Sequence, residues 1–170
     1  MIYRSVLPND QAALLAYFQG LSPETHRRFA PHPFDEATIK AICHGQRDKC
    51  IAYVAVDQDK IVAYAIVLQG YTRGEHHRYQ AYDVALNERN DYTLAPSVAD
   101  AYQSQGIGSA LYQYVERELR ALGAQKIVLW GGVQLSNQRA VRFYLKHGFR
   151  TLAQFQYQGA NLDMVKVLFT

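Results

Sequence analysis

The chain has 170 residues, 49% of them hydrophobic and 19% charged, which suffices for one domain over residues 1–170 that buries roughly 70% of its unfolded surface without staples. Its 18 basic and 15 acidic side chains leave a formal charge of +3 and are scattered rather than clustered, which argues against nucleic acid as a partner. The start, Met1-Ile2-Tyr3-Arg4-Ser5, lacks the long apolar region of a signal peptide, and no later run approaches the ~18 apolar residues of a membrane span, so no membrane partner and a cytoplasmic location are expected.

Ile2 to Leu7 reads as a first strand, after which Asn9 or Asp10 caps a helix from Gln11 through Phe18 that Gly20 ends. Leu21-Ser22-Pro23-Glu24-Thr25 opens a second helical stretch, Pro31 and Pro33 break it, and a third runs from Asp35 to Cys43. Cys43 and Cys50 are too few for a disulfide framework and, with His44, lack a recognised zinc spacing, so reduced thiols and no metal are expected. Cys50 to Val56 and Lys60 to Gln69 alternate as an antiparallel hairpin around Asp57-Gln58-Asp59. Gly70 to Asn90, with Tyr71, His76, His77, Tyr79, Tyr82 and Glu88, shows no clear period and reads as a loop with one short helix at most. It is longer than a connection requires, which marks it for a substrate-facing role.

Tyr92 to Ala99 is the next strand, and a glycine-rich loop leads into a helix whose apolar positions Ile107, Leu111, Val115, Leu119 and Leu122 keep helical spacing until Gly123. Lys126 to Trp130 is a short apolar strand. Ser136 or Asn137 then caps a helix carrying Ala140, Val141, Tyr144 and Leu145, with Gly148 as its stop, and Arg150 to Tyr157 and Leu162 to Phe169 close the chain as a hairpin. That hairpin offers an edge for a homodimer.

Two glycines one residue apart, Gly106 and Gly108, sit where a helix begins although glycine weakens helices. A helix start leaves backbone N–H groups unpaired and partly positive, and bare backbone there lets a phosphate approach; a tight strand-to-helix turn without a ligand explains the spacing equally well. A Walker loop would need a lysine where Gly108-Ser109-Ala110 has none. A dinucleotide fingerprint would need a third glycine at Leu111 and an acidic residue where Trp130-Gly131-Gly132 stands.

A third pattern fits. Gln103-x-x-Gly106-x-Gly108 is similar to the Gln/Arg-x-x-Gly-x-Gly/Ala signature of the GNAT superfamily of acyl-CoA-dependent N-acyltransferases, and Asn137-x-x-Ala140-x-x-Phe143-Tyr144-x-Lys146-x-Gly148-Phe149 resembles that superfamily's second motif. The resemblance is strong over Tyr92 to Phe149. It implies an α/β domain with a mixed, mostly antiparallel twisted sheet of six to seven strands flanked by helices, the fourth and fifth strands splayed.

The same resemblance implies acetyl-CoA as co-substrate and transfer of its acetyl group to a primary amine, on a small molecule or a peptide N-terminus, by direct attack in a ternary complex. Ser97 and Val98 stand at the strand-four positions that pair with pantetheine. Gln103, Ser104, Gln105, Gly106, Ile107, Gly108 and Ser109 match the loop that holds the pyrophosphate, Asn137 matches a cofactor contact, and Tyr144 matches the general acid that protonates the leaving thiolate. A phenol of pKa about 10 is protonated at neutral pH and fits that task.

Two positions depart from the pattern. Tyr92 stands where many members have a glutamate, although freeing an amine of pKa about 10.4 at pH 7 costs about 4 to 5 kcal/mol and calls for a base. Asp91, Glu88, Asp83 and the pair His76-His77 are the candidates. Pro96 removes an N–H from the fourth strand, which a bulge would accommodate. A non-catalytic acyl-CoA-binding module that kept the cleft and lost the chemistry is the rival reading.

Overall fold

The computed structural model describes residues 1–169. Among the described residues six helices and an eight-stranded, mostly antiparallel sheet alternate in an α/β arrangement; along the sheet the strands are β1 (Ile2–Ser5), β2 (Cys50–Asp57), β3 (Lys60–Gln69), β4 (Asp91–Val98), β5 (Lys126–Leu129), β8 (Ala160–Val167) and β6 (Val133–Gln134), with β7 (Arg150–Gln156) paired to β8. By its contacts the chain forms two compact units, one from Met1–Val67 with Ala95–Glu118, the other from Leu68–Leu94 with Leu119 onward.

In the first unit β1 (Ile2–Ser5) pairs antiparallel with β2 (Cys50–Asp57). Between them lie α1 (Gln11–Gln19), α2 (Pro23–Arg28) and α3 (Glu36–Cys43). Ser22 and Asp35 cap α2 and α3, their side chains accepting from Thr25 N and Thr38 N at 3.2 and 2.7 Å, the local device the sequence displays. Asp10 behaves differently from expectation. It stands at the N-cap of α1, but its carboxylate turns back to accept from Leu7 N and from both terminal nitrogens of Arg4, at 2.7 to 2.9 Å. Gln58 and Asp59 both take left-handed φ, 46° and 65°, the twist-matched hairpin turn that joins β2 to β3 (Lys60–Gln69).

The core of this unit is aromatic. Phe18 stacks on Phe34 with ring centroids 4.6 Å apart and meets Tyr64 edge-on at 5.0 Å, while Phe29 and His32 close the cluster. His32 Nδ1 lies 2.7 Å from the Pro33 carbonyl, which can only accept, so Nδ1 carries the proton and Nε2 accepts from the Tyr64 hydroxyl at 3.0 Å. The neutral imidazole is thereby satisfied on both sides. Cys43 and Cys50 are free thiols, and burial pushes the Cys43 thiol up to about 11.

The second unit begins at the end of β3. Within the segment expected to be a loop with one short helix, Arg73–Ala81 forms a nine-residue helix, α4, with Thr72 as N-cap accepting from Glu75 N. The alternation of a buried stripe is weak there, because α4 buries only Glu75 and Tyr79. β4 (Asp91–Val98) follows, and α5 (Ile107–Ala121) carries the chain from one unit to the other. Ile107, Leu111, Val115 and Leu119 are buried as their spacing predicts, but α5 ends at Ala121 and Leu122, in the terminating turn that Gly123 closes at φ 82°, is exposed.

β5 (Lys126–Leu129) and a two-residue strand β6 (Val133–Gln134) lie in succession along β8 (Ala160–Val167), which also pairs with β7 (Arg150–Gln156). β6 makes the sheet eight-stranded instead of six or seven; two residues are too few to show an alternating pattern. Its neighbour α6 (Gln138–Lys146) buries Val141 and Tyr144, while Leu145, expected on the apolar face, is half exposed.

Burial lowers the His32 pKa, outweighing the bond to Pro33 that favours its charged form. The unfolded chain therefore takes up a proton at higher pH than the folded one, so stability is complete above the unfolded value of about 6.5 and declines as pH falls through it. Equilibrium denaturation between pH 7.5 and 5 should show this slope, and His32→Gln should flatten it.

Candidate active site

β4 pairs with β5 in parallel through Asp91–Leu94 and Lys126–Leu129, and the last rung is Trp130 N–H donating to Leu94 O at 2.9 Å. β4 itself runs on to Val98, so its last four residues extend past the ladder. The reason is local. In a parallel pair alternate residues bond to the same neighbour, so after Leu94 the next donor toward β5 is residue 96, and proline has no N–H. Pro96 therefore sits where the strands part. Toward β3, Gly70 N bonds to Asp91 O and Ala99 N to Val62 O, so the two strands advance in equal steps over this stretch and no net bulge accommodates the proline. The expected bulge is replaced by an unpaired edge.

The residues after β4 fold back on it. Gln103 donates through Nε2 to the Val98 carbonyl at 3.0 Å and Gln105 to the Ala101 carbonyl at 2.9 Å, which holds the turn ahead of α5. Asp100 anchors the same turn by accepting from Ser22 N, Ser22 Oγ and Thr25 Oγ1 at 2.7 to 2.9 Å. Partial burial raises its carboxyl pKa, but those bonds outweigh burial and hold it below the usual range. Ser104 and Gly106 take positive φ, 61° and 83°, and a Cβ on Gly106 would meet no atom within 4 Å. Ser104, Gln105 and Gly106 are exposed, Gly108 and Ser109 half-buried, and Ile107 is inserted in the core as the first residue of α5. Ser97 is buried, its hydroxyl 2.8 Å from that of Tyr17 on α1. Its backbone faces β3, as does that of Ala99, whereas Val98 faces the unpaired edge.

In the second unit Asn137 caps α6, its Oδ1 accepting from Ala140 N at 3.4 Å, so part of this side chain is spent on the helix. Two turns on, the Tyr144 ring packs edge-on against Phe143 and Phe149, both at 5.3 Å. Burial raises its phenol pKa, so the group stays protonated throughout the neutral range.

The four candidate bases separate. Asp91 is fully buried at the start of β4, accepts from Asn87 N at 2.7 Å and lies 3.6 Å from Lys126 Nζ, which makes it a structural carboxylate. Asp83 is a left-handed turn residue and Glu88 an exposed one. His76 stacks on Tyr71 at 5.2 Å and meets His77 edge-on. Tyr92, in place of the glutamate, is buried at 3% exposure. The residue that sequence reasoning missed is Glu75, 1% exposed, which accepts from Thr72 Oγ1 and, at 3.2 Å, from Gly131 N. Thr72-x-x-Glu75 is a capping-box pattern and was the available signal.

The family model for the acetyltransferase (GNAT) family matches residues 14–149. The chain belongs to this family. Solved structures share its fold across nearly the whole length. An acetyltransferase of the GNAT family from Streptococcus pneumoniae superposes with a TM-score of 0.77 at 22% identity, covering 99% of each chain. The ribosomal-protein-alanine N-acetyltransferase from Brucella melitensis does so at 0.73 and 20% identity, covering 99% of this chain and 100% of its own. AAC(6')-Ib, in complex with paromomycin and acetyl-CoA, does so at 0.74 and 18%, covering 98% and 92%. No curated protein matches the sequence. As a family member the protein is an acetyltransferase. Among the described residues no helix is long and apolar enough to cross a membrane, and no group of three or more metal-ligating side chains occurs.

Gly131 and Gly132 form the corner between β5 and β6, both at φ 69°. A Cβ on Gly132 would stand 2.6 Å from the Leu162 carbonyl and 2.8 Å from the Phe155 ring. Gly132→Ala should cost about 1 to 3 kcal/mol through overpacking and left-handed strain, read as a lowered midpoint in urea.

Proposed function

We propose that this GNAT acetyltransferase moves the acetyl group of acetyl-CoA to a primary amine by direct attack in a ternary complex. The observation that carries the reading is the edge of β4 beyond Leu94, which extends past the ladder to β5 and is followed directly by the glycine loop and the start of α5. The residues present fit coenzyme A: Val98 presents backbone to the open edge, and the loop from Gln103 to Ser109 brings the backbone of Ser104, Gln105 and Gly106, all exposed, to a helix start, with open space beside Gly106 for a phosphate. Asn137, with part of its amide group taken by α6, is assigned the second cofactor contact. Ser97 is assigned a supporting part through Tyr17, because its own backbone faces β3.

Tyr144 is the proposed acid. A phenol of pKa about 10 lies about 1.5 units above a thiol of about 8.5, so complete proton transfer is uphill by about 2 kcal/mol and burial adds to that. Tyr144 therefore acts first by donating a hydrogen bond to the sulfur as negative charge develops, with the proton following as the thiol departs. A protonated phenol in a buried setting suits this, because the donor needs no reorganisation at the moment of reaction.

The amine arrives with a surplus proton, and water or an exposed side chain of the Gly70–Asn90 segment removes it. Asp91 does not, since its Lys126 and Asn87 contacts hold it at the start of β4. Of the structural relatives above, one is named for a ribosomal-protein alanine and one is seen with paromomycin beside acetyl-CoA. Both remain candidate acceptors here. Thiol release from acetyl-CoA over a panel of paromomycin, spermidine, free amino acids and an alanine-start peptide tests the reading; release with none of these or other amines, despite CoA binding, would leave a non-catalytic acyl-CoA-binding module.

Tyr144→Phe should retain CoA affinity and lower kcat by tens-fold or more, measured with the fastest amine of the panel; an unchanged kcat removes Tyr144 from the chemistry. Gly106→Val places a β-branched residue at φ 83° and a side chain in the phosphate's space, so CoA affinity in calorimetry should drop at least about tenfold.

A further inference from the structure

β5 and β6 are not continuous along β8. β5 pairs through Val128↔Val165 and β6 resumes at Val133↔Leu162, so Asp163 and Met164 lie opposite the interruption. One face of α4 is applied to this break. Glu75 accepts the Gly131 N–H at 3.2 Å, Arg78 holds Asp163 with two bonds at 2.6 and 3.1 Å, and the Tyr79 hydroxyl donates to the Met164 carbonyl at 3.1 Å. Positions 75, 78 and 79 are i, i+3 and i+4, one helical stripe.

The Glu75 carboxylate is held on every side. One oxygen takes the Gly131 N–H, the other takes the Thr72 hydroxyl, and Arg78 Nη2 stands 3.8 Å away. Arg78 is itself fixed, with its guanidinium 3.9 Å above the Phe155 ring. A carboxylate buried to 1% exposure, with each oxygen already tied to a donor of its own surroundings, is committed to the fold and is not the missing base. What it controls is the course of the chain. Gly131 follows Trp130, the last residue bonded to β4, and leads through Gly132 and β6 to Asn137 and α6.

We propose that Glu75 is a positioning residue: by capturing the Gly131 N–H it turns the chain out of the sheet directly after Trp130, and so fixes where the β5 ladder ends and where the segment leading to Tyr144 begins. This rests on the acetyltransferase mechanism above, in which the thioester lies where the fourth and fifth strands part. Proline withholds the donor on β4, and the carboxylate diverts the chain of β5.

The test pairs two substitutions. Glu75→Gln keeps an oxygen for Gly131 and Glu75→Ala removes it. Amide hydrogen exchange at Gly131, read by NMR on the protein without substrates, should accelerate at least about tenfold in Glu75→Ala and stay within about threefold of wild type in Glu75→Gln. With the panel's fastest amine, kcat should fall at least about tenfold in Glu75→Ala and be largely retained in Glu75→Gln, while CoA affinity by calorimetry is unchanged in both. Unaltered Gly131 exchange in Glu75→Ala overturns the proposal, as does an inactive Glu75→Gln with wild-type exchange, which would make the carboxylate a base. If Glu75→Ala does not fold, Glu75→Asp serves in its place: it draws the carboxylate back by one methylene from Gly131 N, and faster exchange with lower kcat supports the role while wild-type values overturn it. Should the wild-type protein fail to bind CoA, the functional reading fails, and the exchange result still decides whether Glu75 holds the corner.

Discussion

The structure turns on a single missing hydrogen bond. A parallel ladder between β4 and β5 reaches Leu94 and Trp130 and stops, because position 96 is proline and has no N–H to offer. β4 then continues with one edge lacking a β5 partner. An unpaired strand edge exposes polar groups that seek partners, and folded proteins usually cover or blunt such edges. Here the edge is kept at the point where the chain turns into the glycine loop and α5, which puts strand donors and helix-start amides in direct succession. That succession, together with membership of the acetyltransferase family, underlies the proposed acyl-CoA reading.

The second unit has a break of its own. Where β5 leaves β8 the sheet forfeits backbone bonds, and the free groups are taken up by α4 side chains instead. Charged groups do much of this work. Asp163 is fully buried and Glu75 nearly so, with one arginine between them, and each of their four oxygens has a partner, which offsets the cost of burying the charge. The Tyr82 hydroxyl adds a further bond to Asp163 at 2.8 Å. A network this saturated tolerates little displacement, which suits a scaffold for chemistry more than a connecting loop.

The first unit is organised by different means. Phe18, Phe29, Phe34 and Tyr64 pack around a neutral His32, so α1, the segment before α3 and β3 are joined by ring contacts and by the Tyr64 hydroxyl donating to His32 Nε2. From this core Tyr17 reaches Ser97, and Ser22 with Thr25 reaches Asp100. The early helices thus brace the end of β4 and the turn that follows it, which explains how a loop with two left-handed residues, Ser104 and Gly106, keeps one shape.

The sequence by itself determined the family, through two linked motifs, and with it most elements: the amphipathic period of α5, the Asn137 cap of α6, and the hairpins at Gln58-Asp59 and near Gly159 all depend on neighbours within a few residues. It also determined that position 96 carries no donor. What only the tertiary structure decided is which edge that donor would have served, because strand parity is fixed by pairing with β3 and β5 and not by local pattern. The same holds for Glu75. A polar helix with two buried residues has almost no hydrophobic period, so α4 is held by bonds to Gly131, Asp163 and Met164, partners 56 to 85 residues away that no local spacing can reveal.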